Sequence, residues 1–132
     1  MLELKAGLTG KAEKIVKIDN TAKTLGSGSL DVYGTPALVA LMEAAAVRAL
    51  DLPSGQSSVG VSLDIKHLAA TPVGMKVWAL AELTEVDRRR LVFNVEAFDE
   101  VEKIGHGTHE RFLIDEEKFF NKTMAKNLQT GE

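Results

Sequence analysis

Apolar residues fill one stretch of the chain and alternate with polar residues in most of the remainder. Residues 37–50 read ALVALMEAAAVRAL, a run of strong helix formers in which Pro36 suits the first helical position and Thr35 the N-cap. Proline and glycine within 51–55 end the helix. Because apolar side chains occupy nearly all of its sides, we expect this helix to be buried.

Most of the remaining segments show the two-residue alternation of half-buried strands. The clearest case has four apolar residues separated by small or charged ones: Val59, Val61, Leu63 and Ile65. We expect these four side chains to face the core. Further elements are predicted as strands at 76–85, 91–97 and 104–114, a short helix at 116–124, and a weaker strand within 2–18 that is clearest at 14–18. The glycine- and serine-rich residues 24–29 predict a mobile loop.

This order of elements, one apolar helix followed by hairpin-connected strands, is an α+β pattern. An antiparallel sheet wrapped around one long buried helix is the hotdog fold, which the pattern favours, although other α+β folds share the order. At 132 residues the chain fits one domain, since single domains most often contain about 100–150 residues. We therefore expect residues 1–132 to form a single domain.

The composition excludes several classes of function. Sixteen Lys and Arg against nineteen Asp and Glu give a net charge of −3, whereas a nucleic-acid partner requires a concentrated basic face. The chain contains no cysteine, which excludes disulfides, thiolate metal sites and a cysteine nucleophile. Its first residues do not resemble a signal peptide, and no apolar run reaches membrane-spanning length. We expect a cytoplasmic protein that binds neither nucleic acid nor a membrane.

Glu43 is the strongest candidate for chemistry. It interrupts the apolar helix, and the positions three and four residues away are all apolar, so no residue of the helix pairs with it. A buried carboxylate is costly unless it is paired, hydrogen-bonded or protonated, and such groups often serve as bases or nucleophiles. The alternative is a structural glutamate on a polar stripe of the helix, paired for example with Arg48 of another subunit.

His67 and Thr35 are further candidates. His67 continues the alternation of the preceding strand, which places its ring on the side assigned to the core. A histidine there is more often structural than functional, but together with Glu43 it makes general acid–base chemistry plausible. Thr35 either caps the helix, which is worth about 1 kcal/mol, or donates its hydroxyl to a reacting group. The sequence does not separate these two roles, which can coexist.

Other polar residues carry weaker signals. His106 and His109 are three positions apart on a predicted strand and therefore point to opposite faces, so they cannot chelate one ion together. We expect no metal site and interpret both as structural or surface residues. Residues 88–90 are all arginine; they either bind the phosphates of a nucleotide carrier such as coenzyme A or form a solvated turn. No glycine-rich nucleotide-binding motif follows a strand.

Three motifs, in order, resemble those of fluoroacetyl-CoA thioesterases. The first is GTPALVALME at 34–43. The second begins at Val59-Gly60 and continues as HLAATPVG at 67–74. The third is IGHGTHER at 104–111, followed by EKF at 117–119. Together they span most of the chain, and their co-occurrence is more specific than any one of them.

The resemblance implies a hotdog acyl-CoA thioesterase with Thr35, Glu43 and His67 as its catalytic set. It implies that Gly60 helps to hold the thioester carbonyl and that Arg111 supports the site. It also implies a homodimer or a dimer of dimers, in which the histidine faces the other subunit's helix and Glu43 finds its partners across the interface. Acyl-CoA is then the partner, and no cofactor is expected beyond the coenzyme A of the substrate.

One segment departs from the family pattern. Fluoroacetyl-specific members have a longer segment before the threonine, whose phenylalanines form a lid, whereas residues 23–33 here contain a single aromatic residue, Tyr33. We interpret Tyr33 as a substrate-binding residue and the loop at 24–33 as the segment that decides acyl selectivity. We therefore expect hydrolysis of a short acyl-CoA other than fluoroacetyl-CoA, with Glu43 as either base or nucleophile.

Two other functions are compatible with the fold. One is a non-catalytic protein that binds an acyl-CoA or a similar ligand. The other is a hydratase that acts on enoyl-CoA, but hotdog hydratases typically have an aspartate and a histidine five residues apart at the start of the helix, and no such pair is present. Asp64 and His67 are three residues apart and lie on opposite faces of a strand, so they do not substitute.

Overall fold

The computed structural model describes residues 4–130 and contains an antiparallel sheet of five strands. The strands are β1 (Thr9–Ile15), β2 (Gln56–His67), β3 (Lys76–Asp87), β4 (Arg90–Asp99) and β5 (Lys103–Asp115), in the order β1-β3-β4-β5-β2. The helices are α1 (Ala22–Leu25), α2 (Thr35–Arg48), α3 (Glu116–Met124) and α4 (Lys126–Gln129), and a 3₁₀ turn covers Ile18–Asn20. Within the described residues, none of the helices combines the length and apolar character needed to cross a membrane.

The core lies between α2 and one face of the sheet. Leu38, Met42 and Ala45 of α2 are fully buried against residues of the central strands, such as Leu83 and Phe93. Full burial of each large apolar side chain contributes about 1.5–3 kcal/mol, so this contact between helix and sheet contributes several kcal/mol to stability. The predicted α+β arrangement, an antiparallel sheet against one long helix, is confirmed.

The start and the outer side of α2 differ from the predictions. Gly34, not Thr35, occupies the N-cap with an extended backbone (φ −81°, ψ 146°), and Thr35 is the first helical residue. The predicted cap role of Thr35 is therefore wrong, which leaves its hydroxyl available for another partner. The helix is also not buried on all sides: Val47 is 48% exposed and Ala40 is exposed, since apolar residues continue on the side away from the sheet.

A β-bulge in β2 changes which side chains face the helix. The pairing of β2 with β5 shifts between Gly60 and Ser62, so Val61 is an extra residue in the strand. Val61 is 54% exposed, and the prediction that it faces the core is wrong. Beyond the bulge, His67 lies on the helix side as predicted, whereas before the bulge Gly60 takes that side.

The N-terminal part also differs in detail. β1 ends at Ile15, and the chain turns at Ile18, so the stretch 14–18 is not the centre of the strand. Residues 24–29 follow and include the end of α1, where Gly26 is in the left-handed region (φ 74°). Backbone N–H groups of Lys23 and Ser27 donate to carbonyls at 30 and 22, which makes this a hydrogen-bonded segment.

Gly10 of β1 lies where α2 comes closest to the sheet. A Cβ at this position would be 2.2 Å from the carbonyl oxygen of Ala45 and 2.4 Å from the amide nitrogen of Ala49. Both are backbone atoms, so Gly10→Ala should lower the free energy of unfolding by about 1–3 kcal/mol, as overpacking does. Urea denaturation measures the effect, with Lys11→Ala at the exposed neighbour as control. An unchanged midpoint would show that the helix has room to move.

Candidate active site

The carboxylate of Glu43 lies between α2 and the strand pair β2–β5. Its Oε2 is 3.5 Å from Nη1 of Arg111, and a Cβ at Gly60 would come within 2.6 Å of the same oxygen. The Glu43 side chain is 37% exposed and that of Arg111 is 8% exposed. The absence of a side chain at Gly60 thus lets a partly exposed carboxylate approach the backbone of β2, beside a buried guanidinium.

Arg111 is held by three other hydrogen bonds. Its Nε donates to Oγ of Ser58 (2.8 Å), its Nη2 to the Ser58 carbonyl (2.9 Å), and its Nη1 to Nε2 of His109 (3.1 Å). Burial lowers the pKa of Arg111, and the charge of Glu43 acts in the opposite direction. Because guanidinium donors have a rigid planar arrangement, these bonds fix the orientation of the group that faces Glu43.

His109 is a site residue that the sequence interpretation missed. It is fully buried, its Nδ1 is 2.8 Å from the Ser62 carbonyl, and its Nε2 faces Arg111. A carbonyl only accepts and a guanidinium only donates, so the neutral tautomer with the proton on Nδ1 satisfies both contacts. The sequence signal that could have identified His109 is its position two residues before Arg111, which places both side chains on one face of β5.

His106 lies on the other face of the same strand and is exposed. The prediction that His106 and His109 point to opposite faces is therefore confirmed. The interpretation of both as structural or surface residues suits His106, whereas His109 contacts the Arg111 side chain that meets Glu43.

Thr35 and His67 form a separate pair near the start of α2. Oγ1 of Thr35 is 2.7 Å from Nδ1 of His67. Nε2 of His67 is buried and has no hydrogen-bond partner within the described residues. Burial lowers the pKa of His67; the Ala69 backbone opposes that shift but does not meet Nε2 in hydrogen-bond geometry. One ring nitrogen is thus oriented by the threonine, and the other has no hydrogen-bond partner among residues 4–130.

The predicted catalytic set is divided into two groups within one chain. Thr35 and Glu43 are eight residues apart on α2, which corresponds to about 12 Å at 1.5 Å per residue. The structure brings Thr35 to His67, and Glu43 to Gly60 and Arg111. It does not bring Glu43 to His67.

The cation beside Glu43 comes from the same chain. The structural alternative paired Glu43 with Arg48 of another subunit, but Arg111 of the same chain provides a cation beside it, in line with the supporting role that the resemblance implies for Arg111. Arg48 instead donates to the Lys11 carbonyl (3.0 Å). A search for ion pairs along the helix does not detect this cation, because Arg111 lies on a strand 68 residues away. The expectation of further partners across a subunit interface stays a prediction.

Tyr33 has a structural position. It is 1% exposed, and its hydroxyl donates to the Ala37 carbonyl (3.1 Å), while burial raises its pKa to about 12. Its ring lines a cavity on the outer side of α2, near Leu25 and Ala40, and its hydrogen bond is to the helix and not to the Glu43 group. The assignment of Tyr33 as a substrate-binding residue stays a prediction.

The arrangement around Glu43 is suited to acyl transfer. A carboxylate that is partly open to solvent can accept a proton from water or attack a carbonyl carbon. Stabilisation of a developing oxyanion is often the largest contribution in such reactions; the role of Gly60 in holding the thioester carbonyl stays a prediction. The cation of Arg111 positions the carboxylate from the buried side.

Comparison with known proteins finds relatives that are thioesterases. The family described as fluoroacetyl-CoA-specific thioesterase matches residues 16–117. The fluoroacetyl-CoA thioesterase of Streptantibioticus cattleyicolor is 46% identical over 98 residues, which are 73% of this chain and 70% of that protein.

Solved structures show the same similarity. A mutant of the fluoroacetyl-CoA-specific thioesterase FlK in complex with fluoroacetate and CoA has a TM-score of 0.82 and 38% identity, covering 88% of this chain and 99% of that one. A Thermus thermophilus hypothetical protein described as a thioesterase superfamily member has a TM-score of 0.88 and 26% identity, covering 100% of both chains. These structures confirm the predicted hotdog fold.

The lowered pKa values of His67 and His109 make stability depend on pH. Burial lowers the pKa of His109, as it does that of His67, while an unfolded histidine titrates near about 6.5. Below that pH the unfolded state binds more protons than the folded state, so the free energy of unfolding falls as the pH falls. Above that pH the contribution of the neutral histidines to stability is fully present. Replacing His109 with glutamine should reduce this loss between pH 7.5 and 5.5.

Urea denaturation at several pH values measures the difference. His106→Gln is the matched control, since His106 is exposed on the opposite face of β5, and it should keep the wild-type loss. A His109→Gln variant that loses as much stability on acidification as the wild type would exclude His109 as a source of the pH dependence.

Proposed function

The chain belongs to the family of fluoroacetyl-CoA-specific thioesterases, and we propose that it hydrolyses a short acyl-CoA other than fluoroacetyl-CoA to the free acid and coenzyme A. It is a thioester hydrolase of the hotdog fold. The observation that carries the proposed site is the close approach of the Glu43 carboxylate to the Gly60 backbone beside Arg111.

Hydrolysis at this site follows from the chemistry of a carboxylate next to a thioester. In one route Glu43 takes a proton from water, whose oxygen attacks the carbonyl carbon; the C–S bond then breaks, and the thiolate leaves. In the other route a carboxylate oxygen of Glu43 attacks the carbonyl carbon and the C–S bond breaks, which releases the thiolate and leaves an anhydride. Water then cleaves the anhydride to the free acid and the Glu43 carboxylate. A thiolate whose acid has a pKa of about 8.5 is a fair leaving group, so neither route requires strong protonation of sulfur.

The proposed acyl selectivity rests on the segment before α2. Residues 24–33 contain Tyr33 as their single aromatic residue, whereas the lid of fluoroacetyl-specific members is built from phenylalanines. This segment directly precedes Thr35 in the chain. Its end is held by backbone hydrogen bonds, since the N–H of Gly34 donates to the Asn20 carbonyl and that of Tyr33 to the Thr71 carbonyl. A short acyl group without fluorine is the substrate class that this difference supports, and exchange of the segment should change acyl preference.

A homodimer is part of the proposal. β2 is an edge strand of twelve residues, and an edge strand has unpaired backbone groups that favour pairing with another chain. Two antiparallel copies of β2, joined near their middle, bring the His67 end of one toward the Gly60 half of the other. In such a pairing His67 lies opposite the start of the other chain's β2, on the half of that strand that carries Gly60 and the Glu43 carboxylate beside it. A dimer of dimers, a cytoplasmic location and the absence of a cofactor stay predictions.

Thiol release from a panel of short, branched, aromatic and long acyl-CoAs tests the activity. Glu43→Gln should reduce kcat by about 10²–10⁴-fold, the range that positioned acid–base groups contribute. Glu82→Gln, at an exposed glutamate of β3, is the matched control and should retain turnover. If the wild type binds acyl-CoA and releases no thiol from any of them, the protein is a binding module.

Mixing two inactive variants tests the shared site. In a mixed dimer of Glu43→Gln and His67→Ala chains, one of the two sites contains both native residues if each site combines Glu43 of one chain with His67 of the other. We expect activity to reappear on mixing after subunit exchange. If both residues act from the same chain, every site carries a substitution and no activity returns.

A further inference from the structure

A basic cleft lies at the end of β5, beside α3. It has a volume of about 470 Å³ and is lined by Arg89 from the β3–β4 turn, by Lys118, Phe119 and Lys122 from α3, and by the first residue of β2 and the last three of β5. The cleft therefore joins three cationic side chains and one aromatic ring in a concave surface, an arrangement that suits a phosphate-bearing ligand.

The cations of the cleft differ from the neighbouring arginines. Arg88 pairs with Asp87, and Arg90 with Glu85 and Glu110. Within residues 4–130, Arg89, Lys118 and Lys122 make no ion pair. Of the 88–90 cluster, Arg89 alone therefore fits the phosphate role considered from the sequence.

The acidic residue that lines the cleft is already engaged. Asp115 caps α3, with its Oδ1 accepting the backbone N–H of Lys118 (3.0 Å). Its carboxylate faces the start of the helix, and the cleft holds three positive charges against this one negative charge. Excess positive charge in a concave surface focuses the field on an incoming anion.

The cleft and the Glu43 group lie on the same pair of strands. Gln56 pairs with Asp115 at the cleft, and Gly60 pairs with Arg111 at the carboxylate. Four residues of β2 separate them, which is about 13 Å at 3.3 Å per residue. An extended pantetheine arm spans such a distance, and half-buried Leu113, on the same side of β5 as Arg111, lies along the path.

We propose that this cleft binds the phosphorylated nucleotide of the acyl-CoA substrate, with Arg89, Lys118 and Lys122 contacting phosphate oxygens and Phe119 stacking on the adenine. The assignment deepens the proposed function and rests on it for the substrate. Binding of the nucleotide makes the enzyme selective for thioesters of coenzyme A over pantetheine thioesters, which lack the nucleotide.

Kinetics with two carriers tests the assignment. The triple variant Arg89→Gln, Lys118→Gln, Lys122→Gln should raise KM for the best acyl-CoA about tenfold or more, equivalent to about 1.4 kcal/mol, with kcat unchanged. KM for the same acyl group on pantetheine should not change, because that substrate lacks the phosphates and the adenine. Arg88→Gln, on the same turn but outside the cleft, should behave as the wild type.

Calorimetry with adenosine 3′,5′-bisphosphate provides a readout that does not depend on turnover. The wild type and Glu43→Gln should bind it, and the triple variant should bind at least tenfold more weakly. If the wild type hydrolyses no acyl-CoA but this difference persists, the proposed function fails and the cleft assignment stands. Equal binding by wild type and triple variant, or equal KM changes for both carriers, would overturn the assignment.

Discussion

The carboxylate of Glu43 reaches the strand backbone because residue 60 has no side chain. A Cβ there would lie 2.6 Å from Oε2 of Glu43 and 3.5 Å from Nη1 of Arg111, so even a methyl group would force the carboxylate away from the strand or from its cation. The bulge between Gly60 and Ser62 is what turns this glycine toward the helix. Without the bulge, the β-branched side chain of Val59 or Val61 would face Glu43 and fill the space in which the carboxylate lies.

Burial of Arg111 is costly, and the surrounding contacts explain why it is tolerated. An ion removed from water is stabilised only by good geometry and by partners for its remaining donors. Here Ser58 accepts two of its hydrogen bonds and His109 a third, and Glu43 supplies the opposite charge. The neutral His109 is in turn oriented by the Ser62 carbonyl at the bulge. The same irregularity of β2 therefore orients both the glycine and the residues that hold the cation.

The elements that follow a regular period were predictable from sequence, whereas the features that break the period were not. Alternation located β3, β4 and β5 within a few residues, and the apolar run located α2. It failed at Val61, since an inserted residue reverses the faces of a strand while the letters still alternate. The residue pattern singled out Glu43, His67 and Thr35, and the resemblance of three motifs combined them into a catalytic set and added Arg111. The contact of Arg111 with Glu43 and the role of His109 depend on the pairing of β2 with β5, which a periodic pattern does not encode.

The order of features along β2 gives the substrate a direction. The basic cleft begins at Gln56, the carboxylate lies at Gly60, and His67 is at the other end of the strand. In the proposed binding mode, with the nucleotide in the cleft and the thioester carbonyl at Gly60, the acyl group would extend toward the start of α2. The hydrogen-bonded segment before Gly34 lies at that end and would meet the acyl chain there. The proposed short-acyl preference would then have a geometric cause that does not depend on a phenylalanine lid.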